Sequence, residues 1–310
     1  MIPYVRQQVP LTLSLGPASL TEAPLPKAVP LLPAPAAAPR VQAEVGRYRL
    51  RLAETAEDRD AACRLRFKVF NIELGEGLES SYETGLDKDQ FDPVCEHLLV
   101  EDKLGRRIVG TYRMQSGITA ACNLGYYSEQ EFSFAPYEPL RAGILELGRA
   151  SIDREHRTPE VLTLLWRGIA QYANDMGLRY LIGCSSLNSN DPAEGWQMYH
   201  QLEHFRVPPE FHTIPTAAYA CPTQQQGEPA QPSPCHLDRS MPGAPDASAQ
   251  PALAPVKVPK LLKTYLAIGA RIAAPPAWDR EFHTIDFLTL LDLQLLSSSA
   301  RNRFLAPLTQ

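Results

Sequence analysis

The sequence predicts a mixed α/β (α+β) fold, a central mixed sheet flanked by helices, and three stretches carry that expectation. Residues 144–153, ILELGRASID, read as a strand, the residues after Thr158 are apolar at helical spacing as far as Gly177, and YLIGCSS at 180–186 reads as a second strand. A hairpin before them, 97–101 and 108–114 around DKLGRR, adds two more strands. Strands and helices mix without the regular βαβ alternation of a doubly wound sheet, and neither GxGxxG nor GxxxxGK[ST] is present.

Taken in order, Arg47 to Ala53 alternates arginines with Tyr48, Leu50 and Leu52, the pattern of a half-buried strand. Thr55, followed by Glu57 and Asp58, caps a helix that runs to about Phe70. The acidic stretch 71–92 is too polar for a core and is expected as a loop. A short irregular helical piece near Ser128 to Phe132 follows the hairpin. Thr158, Pro159 and Glu160 supply an N-cap, an N1 proline and a first-turn carboxylate for the next helix, and Gly177 stops it. Residues 191–205 read as a helix, Leu261 to Ile268 as a short helix ending at Gly269, and Phe282 to Leu293 as a closing strand.

Residues 1–45 and 222–257 are rich in Pro and Ala without periodicity and are expected to be disordered. The folded domain is therefore placed at 46–297, with the second of these segments as an insertion and 298–310 as a tail. Prolines at 3, 10 and 17 interrupt any signal-like apolar core, and no run approaches the ~20 apolar residues of a membrane span. A cytoplasmic protein is expected, with peripheral contact at the inner membrane surface. Six cysteines without CxxC spacing fit reduced thiols, and a net charge of −5 argues against nucleic-acid binding. His200 and His204 share a helix face, but no third ligand accompanies them, so no metal and no bound cofactor is expected.

The chemistry concentrates between 144 and 186. Strict alternation separates Glu146 from Arg149, whereas a bulge near Gly148 brings both to one mouth. A carboxylate there can take a proton from an attacking amine; a structural ion pair between the two is the other reading. Arg154, Arg157 and Thr158, at the start of the long helix, form an anion site fit for a phosphate, or else an ordinary capped helix with solvated arginines.

RLRFKVF at 64–70, DKDQFD at 87–92, GTYRM at 110–114 and ELGRASI at 146–152 together resemble the branch of the GNAT acyltransferase superfamily that contains acyl-homoserine-lactone synthases and ornithine N-acyltransferases. LLWRGIAQY, YLIGCSS and the tail PKLLKTYLAIGA with PAWDREFHTIDFL resemble the ornithine acyltransferases, also labelled hemolysin-like, more than the lactone synthases. The resemblance implies transfer of a (3-hydroxy)fatty acyl group from acyl carrier protein to the α-amine of ornithine, giving lyso-ornithine lipid. It puts Arg66, Phe70, Asp89, Asp92, Arg113, Glu146 and Arg149 in the active-site constellation. Glu146 is then the base, Asp89 and Asp92 hold ammonium groups and Arg113 or Arg149 a carboxylate, with caps and structural pairing as the alternative for these last. The usual pyrophosphate loop is replaced by REHRTPE, which favours carrier-protein phosphopantetheine, held by Arg154, Arg157 and Thr158, over coenzyme A. Arg64 and Lys68 are candidates to meet the acidic carrier protein, or a solvated helix face. Tyr199 is a candidate general acid toward the leaving thiolate, and Cys184 is expected to pack in its strand. Glycine, lysine or another amine is the alternative acceptor, and a non-enzymatic lipid-binding protein the alternative class.

Overall fold

The computed structural model describes residues 39, 41–222, 255–296 and 298–304. In these, nine strands make one sheet. β1 (Gln42–Val45) and β2 (Tyr48–Leu52) precede helix α1 (Ala56–Phe67) and the one-turn α2 (Ser81–Thr84). The hairpin β3 (Glu96–Asp102) and β4 (Arg107–Ser116) leads to α3 (Gly117–Cys122), then β5 (Ile144–Ile152), α4 (Pro159–Asp175), β6 (Tyr180–Leu187) and α5 (Pro192–Gln201). The chain resumes with α6 (Lys260–Ile268), β7 (Arg271–Ile272), β8 (Ala277–Asp279), β9 (Thr284–Asp292) and α7 (Ser298–Phe304). The strand order is β1-β2-β3-β4-β5-β6-β9-β7, with β8 on β9. Every pairing is antiparallel except β5 with β6.

The cap signals act as expected. Thr55 and Asp58 form a reciprocal capping box at α1, and Thr158 accepts from the Val161 amide with Pro159 at the first position of α4. Leu164, Leu165, Ile169 and Ala173 of α4 bury against Leu50, Leu98, Val100, Leu145 and Leu181. Ile144 of β5 and Tyr180, Ile182 and Cys184 of β6, with Leu288 and Leu290 of β9, cluster with Phe132, Phe134 and Tyr137 on the opposite face. The sheet is thus covered on both sides, α4 and α6 on one and the 117–144 segment on the other.

Two boundaries move outward. Gln42–Val45 is a strand, not tail, because Val41 and Ala43 are buried in the core when β1 pairs with β2. Ser298–Phe304 is helical, and Ala300 joins the same core. The expected disorder of 1–38 and 223–254 lies outside the described residues. The acidic stretch 71–92 also differs from expectation: α1 runs on as a π-helix (Lys68–Leu74) capped by left-handed Gly75, and Asp87, Phe91 and Asp92 are buried. Polarity misled there because the carboxylates meet buried arginines, described next.

Candidate active site

β5 and β6 pair only at Ile144–Tyr180, Leu145–Leu181 and Glu146–Ile182, then part. Gly183 sits at the fork, where an added Cβ would lie 2.2 Å from the Leu147 carbonyl oxygen, so no larger residue fits. Beyond Glu146 the edge of β5 that faces β6 has no strand partner, and a cleft of about 2370 Å³ opens there, lined by residues 147–152 and 183–188. One wall is apolar, with Leu162, Trp166, Tyr265 and Ile268 from α4 and α6; the other is polar, with Tyr127, Glu146, Arg149 and Asp286.

The bulge is present. Thr111 pairs with Ser151 but Arg113 with Gly148, so β5 has one residue too many opposite Tyr112. Arg149 takes up the slack in the left-handed region, at φ 53°, which costs a non-glycine residue of order 1 kcal/mol. The consequence is that Arg149 shares the face of Glu146 instead of opposing it. Its guanidinium lies between the rings of Phe282, 4.6 Å from its centroid, and Phe70, 5.3 Å away.

Glu146, 6 % exposed, sits at the fork. Its Oε2 accepts from the Tyr127 amide at 2.9 Å, and its Oε1 accepts from the Ser128 amide at 2.8 Å and the Ser128 hydroxyl at 2.5 Å. Burial raises its proton affinity above the usual carboxylate range, and these three donors only partly offset that. A carboxylate has about four lone-pair sites, so one remains for an amine proton. A buried, raised carboxyl with an open lone pair is a competent general base.

The other arginines and aspartates form a closed network. Arg66, 1 % exposed, donates from Nε to Asp87 Oδ1 at 2.9 Å and from its two terminal nitrogens to Asp92 at 2.7 and 2.8 Å. Arg113 donates to both oxygens of Asp89 at 2.7 Å, and Arg149 Nη2 lies 3.1 Å from Asp87 Oδ2. Burial alone would raise the Asp92 carboxyl, but Arg66 and Arg113 hold it well below the usual range. Burial pushes His97, whose ring contacts the Asp92 carbonyl oxygen at 3.0 Å, down to about 4. Asp89 and Asp92 are therefore occupied by arginines, and the expectation that they hold the acceptor's ammonium groups is corrected: the pattern DKDQFD builds the floor on which Arg149 rests. Asp87, unremarked in the sequence, is the carboxylate that joins Arg66 to Arg149.

Phe70, Arg113, Arg157 and Thr158 line the cleft with Glu146 and Arg149. Arg157 bonds the Ile152 carbonyl at 3.0 Å and Glu73 at 2.5 Å. Arg154 is exposed on the short turn before α4 and does not line the cleft, so only Arg157 and Thr158 of that trio reach it. Lys68 is paired with Asp153 at 2.9 Å. Tyr199 needs correction as a proton donor: it does not line the cleft, its hydroxyl lies 3.2 Å from His212 Nε2, and Arg206 covers its ring at 4.1 Å. α5 turns it into the core beside Leu187 and Met198. Cys184 does line the cleft, and burial, then Glu131, push its thiol well above the ordinary value, which disfavours a thiolate nucleophile. Sequence reading also missed Tyr127, Ser128, Gln115, Glu131 and Asp286. Asp286 carried a signal, a carboxylate inside the apolar run IDFLTLL; the others carried none.

A mixed sheet split at its parallel pair, with a buried acid at the fork, defines a GNAT acyltransferase, and the family model described as an acetyltransferase (GNAT) domain matches residues 65–167. The L-ornithine N(alpha)-acyltransferase of Rhodobacter capsulatus is 30% identical over 260 residues, 82% of this chain and 93% of that protein, and the enzyme of the same name from Brucella abortus is 30% identical over 267 residues, 82% and 87%. The chain belongs to the L-ornithine N(alpha)-acyltransferase family. Among solved structures it is similar to an N-acyl amino acid synthase from uncultured soil microbes, at 12% identity over 84% of this chain and 97% of that one, with a TM-score of 0.45. No helix among the described residues is long and apolar enough to cross a membrane.

Proposed function

We propose that the protein transfers a fatty acyl group, 3-hydroxylated or not, from acyl carrier protein to the α-amine of ornithine, giving a lyso-ornithine lipid. The observation that carries this reading is the two-walled split at Glu146. An acyl chain lies along the apolar wall of α4 and α6, the amino acid takes the polar wall, and the two meet at the fork. The unpaired edge of β5 offers N–H groups to the pantetheine amides and to the thioester oxygen.

The chemistry needs one base. The acceptor's α-ammonium gives a first proton to Glu146 and thence to solvent. The free amine attacks the thioester carbonyl, the C–N bond forms, and the C–S bond breaks as the tetrahedral adduct collapses. The second amine proton, taken by the same carboxylate, neutralises the departing thiolate, so no separate acid such as Tyr199 is required.

A carrier-protein donor is supported by the rim. Arg157 and Thr158 line one side of the cleft, and Lys257, Lys260 and Lys263, all exposed, line it near α6. A phosphopantetheine phosphate and an acidic partner fit such an edge.

Incubation of the purified protein with 3-hydroxyacyl carrier protein and a panel of amino acids, with mass-spectrometric detection of N-acyl products, tests this. Product with ornithine, falling about 10²- to 10⁴-fold in Glu146→Gln, is expected. Product with another amine only would keep the mechanism and change the acceptor, and no product from any acyl thioester would refute acyl transfer.

A further inference from the structure

One group of acidic side chains beside the cleft has no basic partner among the described residues. Cys184, Asp279 and Asp286 line its polar end, and Glu131 stands behind them, its Oε2 3.6 Å from the Cys184 thiol and its carboxylate within 4.8 Å of Asp286. Register brings them together: Ser186 pairs with Asp286 and Cys184 with Leu288, so Cys184 and Asp286 project from the face that carries Glu146. Among the described residues, no lysine, arginine or histidine pairs with Glu131, Asp279 or Asp286, and the charges that act most strongly on Glu131 and Asp286 are other carboxylates.

Independent of that cluster, the same face carries buried groups that lack partners. Gln115, 2 % exposed, lies opposite Glu146 in register and lines the cleft, and neither atom of its amide has a hydrogen-bond partner among the described residues. Nε of Arg149 is likewise without one, while its Nη2 is paired with Asp87 Oδ2 at 3.1 Å. These groups call for different things. Gln115 and Arg149 offer N–H donors, which suit a carboxylate. Glu131 and Asp286, hydrogen-bonded to each other, offer lone pairs and, once a cation draws off the proton they hold, negative charge, which suits an ammonium. Glu146, with one open lone pair, stands on the same face as both sets. A molecule that meets all three demands has a carboxylate, a reacting amine and a second cationic nitrogen at the far end of its side chain.

We propose that Asp286, backed by Glu131 and supported by the charge of Asp279, seats the distal ammonium of the acceptor, while Gln115 and Arg149 take its α-carboxylate. This rests on the acyl-transfer reading above and adds to it the feature that selects a dibasic over a neutral amino acid. Asp279 acts at a distance, because its Oδ1 already accepts the amides of Glu281 and Phe282 at 2.9 and 3.0 Å. Cys184 is the wall between the two carboxylates and Glu146.

The test uses the full-length protein with four acceptors that share a backbone: ornithine, lysine, 5-hydroxynorvaline and norvaline. Acylation is followed by mass spectrometry and binding by calorimetric titration. The expected result is a preference of at least about 100-fold for ornithine over norvaline in kcat/KM, since the norvaline complex leaves buried carboxylates uncompensated. Asp286→Asn and Glu131→Gln should lower kcat/KM for ornithine far more than for norvaline, mainly through KM, so that the preference shrinks below about 10-fold. Norvaline serving the wild-type protein as well as ornithine would overturn the proposal without any variant having to fold. So would a preference that survives both substitutions. Should no acceptor be acylated, tighter binding of ornithine than norvaline that is lost in Asp286→Asn would uphold the pocket and sink acyl transfer instead, whereas equal binding of the two would sink the pocket.

Discussion

Two buried clusters of carboxylates lie on one face of this sheet and behave in opposite ways. Around Arg66, the aspartates at 87, 89 and 92 are matched by Arg66, Arg113 and Arg149. Around Cys184, Glu131 and Asp286 face each other and Asp279 with no cation. In the first cluster Asp92 is held well below the usual carboxylate range against the pull of burial. In the second, burial first and then Asp279 push Asp286 up to about 6, and burial with Asp286 pushes Glu131 well above its ordinary value. The first is closed by arginines within the protein; the second is closed only by the protons its raised carboxyls retain, and so is open to a cation. The contrast separates scaffold from specificity among residues that look alike in sequence.

The largest effect should come from breaking the complete cluster. Arg66→Ala leaves Asp87 and Asp92 buried without their main partner, and removing one member of such a pair costs about 3–5 kcal/mol. Urea unfolding should show that loss or no cooperative transition at all. A change under about 1 kcal/mol would mean that Arg113 and Arg149 suffice to hold both aspartates.

Acidity sharpens the same comparison. Asp92 is depressed, so its contribution to stability is present above the ordinary aspartate range and is lost as pH falls below it; His97, held neutral down to about pH 4, is destabilising as pH drops below the ordinary histidine value near 6.5. Asp286 has the opposite sign. Its folded value near 6 exceeds the ordinary 3.8, so its penalty is absent at pH 4, grows between 4 and 6, and is complete above 6. Because Asp286 titrates together with Glu131, the penalty belongs to the pair and is of order 1–3 kcal/mol. Asp286→Asn should therefore match the wild type in stability near pH 4 and exceed it by about 1–3 kcal/mol at pH 8. A variant less stable than the wild type at pH 8 would show that the second cluster is also structural.

How much of this was open to sequence reading follows from where each residue sits. Glu146, Arg149 and the α4 cap lie within one stretch, so local rules for strands, bulges and caps were enough to find them. The arginine at 66 and the aspartates at 89 and 92 were legible as a constellation through family resemblance, but not their roles, because which carboxylate an arginine consumes depends on side-chain reach across α1, β4 and a loop. Glu131 and Asp286 meet only through the pairing of β6 with β9, and nothing local announces a contact between residues so far apart. Tyr199 shows the converse: family resemblance put it at the cleft as a proton donor, and α5 turns it away from the cleft.

Outside both clusters the expected effects shrink. Replacing Lys257, Lys260 and Lys263 by glutamate should raise KM for the acyl carrier protein by about 10-fold, with kcat little changed, and added salt should narrow the gap between variant and wild type. Steady-state kinetics at two ionic strengths checks it; an unchanged KM would move the partner surface elsewhere.

The smallest effect is expected at Tyr199. Its hydroxyl is taken by His212 and its ring by Arg206, neither of them in the cleft wall. Tyr199→Phe removes one hydrogen bond and keeps the ring, so it should cost about 0.5–1.5 kcal/mol of stability and change kcat by less than about 2-fold. The proton balance leads to the same expectation, since the carboxylate that accepts the second amine proton can return it to the thiolate. A loss of kcat above about 10-fold, with stability intact, would require α5 to rotate during turnover and give up the His212 contact. In that case Glu146 would be a base only, and the cleft as described would be the form of the enzyme before its acid is in place.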